Sequence, residues 1–150
     1  MTLTIESSRF GRVEIDPDTV IEFPDGLIGL GGQRFALLAR DHESAFAWLQ
    51  SLDDPALALP VTNPHRFFAG YQVQLTDEDA ERLGAGAAGA FDVYVTVRAG
   101  EALEDFTANQ KAPILVRDGR GWQIINQAQS AQLRAPLFAE VEVEPAAGRG

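Results

Sequence analysis

Nucleophilic catalysis requires a thiol or hydroxyl beside a base that can take its proton, and this 150-residue chain offers little for it. It has no cysteine and two histidines, His42 in RDHES and His65 in NPHRF, both in polar, turn-like surroundings that suit exposed side chains. No Gly-x-Ser-x-Gly elbow occurs. Carboxylates are the remaining reactive groups. Asp53 and Asp54 stand side by side in FAWLQSLDDPALALPVTNP, Phe46 to Pro64, and two carboxylates facing each other across roughly 5–10 Å could cleave a glycosidic bond. Adjacent residues on a strand, however, point to opposite faces. Pro55 then fixes φ for a turn in which an aspartate bonds the backbone two residues on. Asp53-Asp54 is therefore expected to build a connection between strands. A small acidic β-barrel hydrolase using these carboxylates stands as the alternative.

Metal and phosphate chemistry fare no better. Asp16 and Asp18 in DPDT, Asp53-Asp54, and the acids Asp77 to Asp79 lack the spaced acids, glycine and distal glutamate of a calcium loop. The glycines of PDGLIGLGG, Pro24 to Gly32, have the wrong spacing for a dinucleotide fingerprint and run into another strand-like segment. They suit a wide loop with positive φ. No catalytic residue, metal or cofactor is expected.

The elements around these residues are mostly strands. LTIE (Leu3 to Glu6) and RVEI (Arg12 to Ile15) alternate apolar and polar residues across a tight connection at Gly11, and VIEF (Val20 to Phe23) resumes after the DPDT break. RFALLAR follows, and FAWLQSL and LALPV flank DDPA as two strands that form a hairpin if they pair. NPHRFF turns the chain again, with Asn63 before Pro64 as a turn or capping residue. TDEDAERLG carries a full helix signal: Thr76 as N-cap, acids in the first turn, Leu83 inward and Gly84 as the stop. GAGAAGA (Gly84 to Ala90) reads as a loop, and FDVYVTVRA (Phe91 to Ala99) as the strongest strand. ILVR and WQIIN flank DGRG, whose Asp-Gly marks a hairpin. With no strand-helix-strand rhythm, no parallel sheet is expected. The fold class is all-β: a single antiparallel barrel-like or sandwich domain of eight or more strands with one or two short helices, over 1–144, ahead of a disordered tail at 145–150.

Composition narrows the function. No apolar run approaches the ~20 residues of a membrane span, and the N-terminus lacks the basic start and apolar core of a secretory signal; the cytoplasm is the expected location. Asp plus Glu number 22 against 12 Lys plus Arg, for a formal charge of -10. Such a surface repels phosphate backbones, so direct nucleic-acid binding is not expected. It either serves solubility or meets a basic protein.

Three segments in order, EFPDGLIGL (Glu22 to Leu30), FAWLQSLDDPALALPVTNP and TANQKAPILV (Thr107 to Val116), together resemble the FliW family of bacterial flagellar assembly factors, with a weaker echo in QLRAPL (Gln132 to Leu137). The match spans roughly Leu3 to Leu137. The family tends to carry a proline at Ile28, an aromatic at Leu30, an apolar pair at Gln110-Lys111 and a histidine at Ala135. The resemblance implies a β-barrel-like protein without catalytic activity that binds flagellin and also binds CsrA, an RNA-binding translational repressor. A flagellin-only chaperone is the narrower version, and a monomer is expected. Expected partner contacts are Asp53, Asp54, Asn63, Pro64, Phe67, Phe68, Thr107, Ala108 and Asn109. Phe67 and Phe68 are consecutive, so on an extended strand one would point outward. Phe46, Trp48 and Leu49 are expected in the core, since one face of a strand must be buried.

Overall fold

The computed structural model describes residues 2–29, 33–39, 44–84 and 91–138. His42, most of the GAGAAGA run and the tail at 145–150 lie outside the described residues. The chain begins with a hairpin of β1 (Leu3–Ser7) and β2 (Gly11–Ile15), in which Leu3 pairs with Ile15 and Ser7 with Gly11. Gly11, at φ +77°, opens β2 rather than sitting between the strands. Asp16 caps a single 3-10 turn by accepting from the Asp18 amide at 3.0 Å, after which the chain enters β3 (Val20–Glu22).

The main sheet continues with β4 (Arg34–Leu38), β5 (Phe46–Ser51), β6 (Ala58–Thr62) and β7 (Asp92–Arg98), each antiparallel to its predecessor. The β5–β6 hairpin is as expected. After β8 (Thr107–Ala108) come β9 (Ile114–Arg117) and β10 (Arg120–Gln123), joined by Asp118 and Gly119 at φ +55° and +78°. Positive φ at both central residues is the requirement of the Asp-Gly hairpin turn. Strand β9 returns to pair with β7, so the order β7-β6-β5-β4-β3-β10-β9 closes on itself as a seven-stranded barrel. The short β8 and β11 (Ala135–Pro136) extend β7 beyond the barrel.

One pairing departs from the antiparallel expectation: β3 and β10 run parallel where Glu22 meets Arg120. The reason is parity. An odd ring cannot alternate direction all the way round, so seven strands must contain a parallel contact. It falls between two strands that no hairpin joins, held by the Glu22 amide donating to the Gly119 carbonyl at 2.8 Å.

Inside the barrel, Ile21, Phe23, Phe35, Leu49, Val61 and Ile114 form one buried cluster. The helix α1 (Asp77–Leu83) follows its sequence signals: the Thr76 side chain accepts from the Asp79 amide at 3.0 Å and Gly84 closes it in the left-handed region. Leu83 packs outside the wall on Phe91, Leu115 and Ile124, which explains why Ile114 and Leu115 are both buried on opposite faces of β9. A third cluster, Tyr71, Val95, Val97, Ala108 and Leu137, joins β7 to its extension. Among the described residues, no helix is long and apolar enough to cross a membrane.

Candidate partner-binding surfaces

The Asp53-Asp54 connection is built from within its own motif. Ser51 Oγ accepts from the amides of Asp53 and Asp54 at 3.0 and 2.9 Å. Asp54 Oδ1 accepts from the Ala56 amide at 3.0 Å, the side-chain turn expected before Pro55. Asp53 reaches sideways to the start of β4, accepting from the Gln33 amide at 2.9 Å and the Arg34 amide at 3.3 Å, with the Arg34 guanidinium 3.8 Å away. Those amides, helped by the guanidinium, hold its carboxyl below the ordinary 3.8. The stabilisation is therefore present above that ordinary value and disappears as pH falls through the lowered folded one. Asp53→Ala is expected to lower Tm by about 2–4 °C in a thermal melt and to leave partner affinity unchanged. Lost binding at unchanged Tm would place Asp53 in an interface.

The remaining residues singled out by sequence divide between surface and interior. Asn63 is exposed and caps a 3-10 turn at Pro64–Arg66, its side chain accepting from the His65 amide at 2.9 Å. Pro64 is buried, and so is Ala108 at 1% exposure; neither presents a side chain to a partner. Thr107 and Asn109 alternate with Ala108 and are half-buried on the opposite face. Phe67 and Phe68 are not on a strand: they follow the 3-10 turn, and both are half-buried. Phe67 packs on Phe46 (5.6 Å between ring centroids) and on Phe138 (5.7 Å), which in turn meets Phe106 (5.9 Å).

Phe46 and Trp48 correct the core expectation; only Leu49 is inside. Alternation along β5 sends Ala47, Leu49 and Ser51 one way and Phe46, Trp48 and Gln50 the other, onto the outer wall. The β1–β2 hairpin covers part of that wall. Ser7 Oγ donates to the buried Gln50 Oε1 at 2.7 Å, the Ser8 amide donates to the Pro55 carbonyl at 2.8 Å, Phe10 sits 5.7 Å from the Trp48 ring, and the Arg9 guanidinium lies 4.4 Å above it. Beyond these clamps the hairpin and wall separate into an open cleft of about 930 Å³. Its floor and sides are Phe10, Val13, Ile15, Leu38, Phe46 and Trp48, with Glu14 and Asp16 at its margin. Phe10, Val13 and Leu38 were not singled out by sequence. The available signal was the apolar stripe of the hairpin (Leu3, Ile5, Val13, Ile15), which needs a second surface to face.

Among the described residues the acids lining the cleft are Glu14 and Asp16, and no group of three or more His, Asp or Glu side chains is able to hold a metal. Its chemistry is that of contact: apolar area at the centre and charge at the edge.

Comparisons with known proteins agree with this non-catalytic geometry. The model of the FliW protein family matches residues 4–137. The flagellar assembly factor FliW of Bdellovibrio bacteriovorus is 35% identical over 145 residues, covering 93% of this chain and 82% of that protein. The flagellar assembly factor FliW of Desulfitobacterium hafniense strain Y51 is 34% identical over 143 residues, covering 93% and 94%. A crystal structure of the flagellar assembly factor FliW aligns with a TM-score of 0.79 at 29% identity over 91% of this chain and 97% of that one.

Proposed function

The chain belongs to the FliW family, whose members are flagellar assembly factors and not enzymes, and from that premise we propose that it binds flagellin and antagonises the translational repressor CsrA. It acts in the cytoplasm as a monomer. Free of flagellin, it captures CsrA and relieves repression of flagellin synthesis. The observation that carries this reading over the hydrolase is the open, apolar cleft between the hairpin and the barrel wall, bordered by Glu14 and Asp16. A hydrolase would need a pocket lined by converging carboxylates. An RNA-binding protein presents cationic surface, and an acidic, apolar cleft on a chain of charge -10 is complementary to it. Docked there, this protein raises the negative potential near the RNA site and opposes the messenger.

Titrating the purified protein separately with flagellin and with CsrA tests the reading. Binding to both is expected, with CsrA affinity falling as salt rises and Glu14→Lys weakening CsrA severalfold. Binding to neither overturns the proposal. Binding to flagellin alone selects the flagellin-only chaperone. For the electrostatic step, neutralising acids around the cleft at preserved CsrA affinity should slow RNA release; unchanged release removes that step.

A further inference from the structure

The hairpin that walls the cleft leaves a strand edge open to it. Strand β2 is paired on one side: among the described residues its strand partner is β1 alone. An antiparallel ladder uses the N–H and C=O of every second residue of a strand and directs the others outward. Between Arg12 and Glu14 the outward backbone groups meet no hydrogen-bond partner among the described residues. They border the cleft, because Val13, Glu14, Ile15 and Asp16 line it and no residue of β1 does.

The cleft has the dimensions and the chemistry of a strand site. It runs along β2 from Phe10, held 5.7 Å from the Trp48 ring, to the 3-10 turn that Asp16 caps. Gly11 to Asp16 cover about 17 Å of extended chain, room for five or six residues alongside. Val13 and Ile15 turn toward the wall, and Arg12 and Glu14 away from it. A strand laid beside β2 alternates in step. One set of its side chains falls on Leu38, Phe46 and Trp48, and the other emerges near Glu14 and Asp16. Arg12 faces Glu6 across the hairpin at 3.3 Å, so the charge that meets the emerging set is negative. A two-stranded ribbon is marginal by itself and gains from a third strand.

We propose that the cleft receives an extended protein segment of alternating apolar and basic side chains, which adds to β2 as a third strand. Backbone hydrogen bonds to β2 fix its register, the apolar set covers the wall, and the basic set meets the acids at the margin. The inference rests on the reading above that this cleft docks a cationic partner, and it adds the form in which that partner enters. The edge holds one strand at a time, so partners that use it exclude one another.

A capped synthetic hexapeptide alternating valine and lysine is the probe, titrated against the full chain with amide hydrogen exchange as the readout. In the free protein, alternate amides between Gly11 and Ile15 should exchange freely, and the peptide should slow them at least about tenfold. Replacing its lysines by glutamates should weaken binding at least about tenfold at low salt. Methylating one alternate set of the peptide's backbone nitrogens should weaken it as much, while methylating the other set is tolerated. Absence of binding at about 1 mM, binding that leaves the β2 amides unprotected, equal tolerance of both methylated sets, or equal binding of the glutamate peptide overturns the inference. So does protection before any peptide is added. If that protection is independent of protein concentration, this chain's own AEVEVE (Ala139 to Glu144) holds the edge; if it grows with concentration, a second copy does. Purified CsrA separates the inference from the reading beneath it. CsrA that binds without protecting β2 overturns the added strand and leaves the partner standing. CsrA that does not bind overturns that reading, and the peptide still decides the strand.

Discussion

Asn126→Ala is expected to lower the unfolding free energy by about 4 kcal/mol. Asn126 is 4% exposed and uses its whole amide. Its Oδ1 accepts from the Gln74 amide at 2.8 Å and the Ala128 amide at 3.1 Å. Its Nδ2 donates to the Gln72 carbonyl at 2.9 Å and, at 3.2 Å, to both the Gln110 carbonyl and the Tyr71 hydroxyl. Tyr71 in turn donates to the Gln110 carbonyl at 2.9 Å. One side chain therefore ties three segments, 71–74, 110 and 126–128, none of which has strand partners there. Alanine leaves several of these backbone groups buried and unpaired, and each such group costs about 1–3 kcal/mol. Urea unfolding followed by circular dichroism measures the loss. A change under about 1 kcal/mol would show that water enters and replaces the amide. Tyr71→Phe should cost less, because a single hydroxyl leaves. That substitution also reports on pH. Burial pushes the Tyr71 hydroxyl up to about 12, with the Asn126 hydrogen bond pulling weakly the other way. Since the folded value is raised, the stabilisation is complete below the ordinary 10.0 and is lost as pH climbs from there to about 12. In Tyr71→Phe that alkaline loss shrinks; Tyr94, also raised by burial, accounts for part of what remains.

Gly121→Val is expected to open the barrel at its parallel seam, at a cost of roughly 3 kcal/mol or more, with Gly121→Ala nearer 2 kcal/mol. Gly121 lies on β10 opposite Val116 and faces the interior. A Cβ there would stand 2.5 Å from Phe23 Cε2, 2.9 Å from Phe23 Cζ and 3.0 Å from Ile21 Cγ2. Phe23 cannot move away. It is fully buried and packed edge-on against Phe35 with centroids 5.6 Å apart. The strain falls where β3 and β10 share few backbone bonds, so the seam has little else to hold it. Phe23→Leu in the Gly121→Ala background should recover part of the loss, because the two side chains compete for one space. Strict additivity of the two substitutions would argue against that contact. Urea midpoints of the single and double variants provide the measurement.

Local chemistry was legible along the chain. Thr76 and Gly84 bound the helix, Asp118-Gly119 makes its hairpin, Asp54 bonds the residue two ahead across Pro55, and Asn63 caps the next turn. Each depends on partners within a few residues, where side-chain type and φ preference act directly. The segment most specific to the family turns out to be made of the same devices: Gln50 clamps the hairpin, Ser51 and Asp54 shape the connection, and Asp53 fastens it to β4.

Tertiary closure decided the rest. Nothing local counts strands, so the ring of seven and its parallel contact followed only from β9 returning to β7. Period-two alternation gives each strand two faces and leaves open which one is covered. Phe46 and Trp48 belong to the outer wall because the barrel interior takes Ala47 and Leu49, while Gln50 is buried because a hairpin more than forty positions earlier lies across it. Arg98 and Arg134, thirty-six positions apart, meet in one hollow only through the pairing of β7, β8 and β11. Burial is a property of what lands on a surface, and a sequence specifies that only through the contacts of the whole chain.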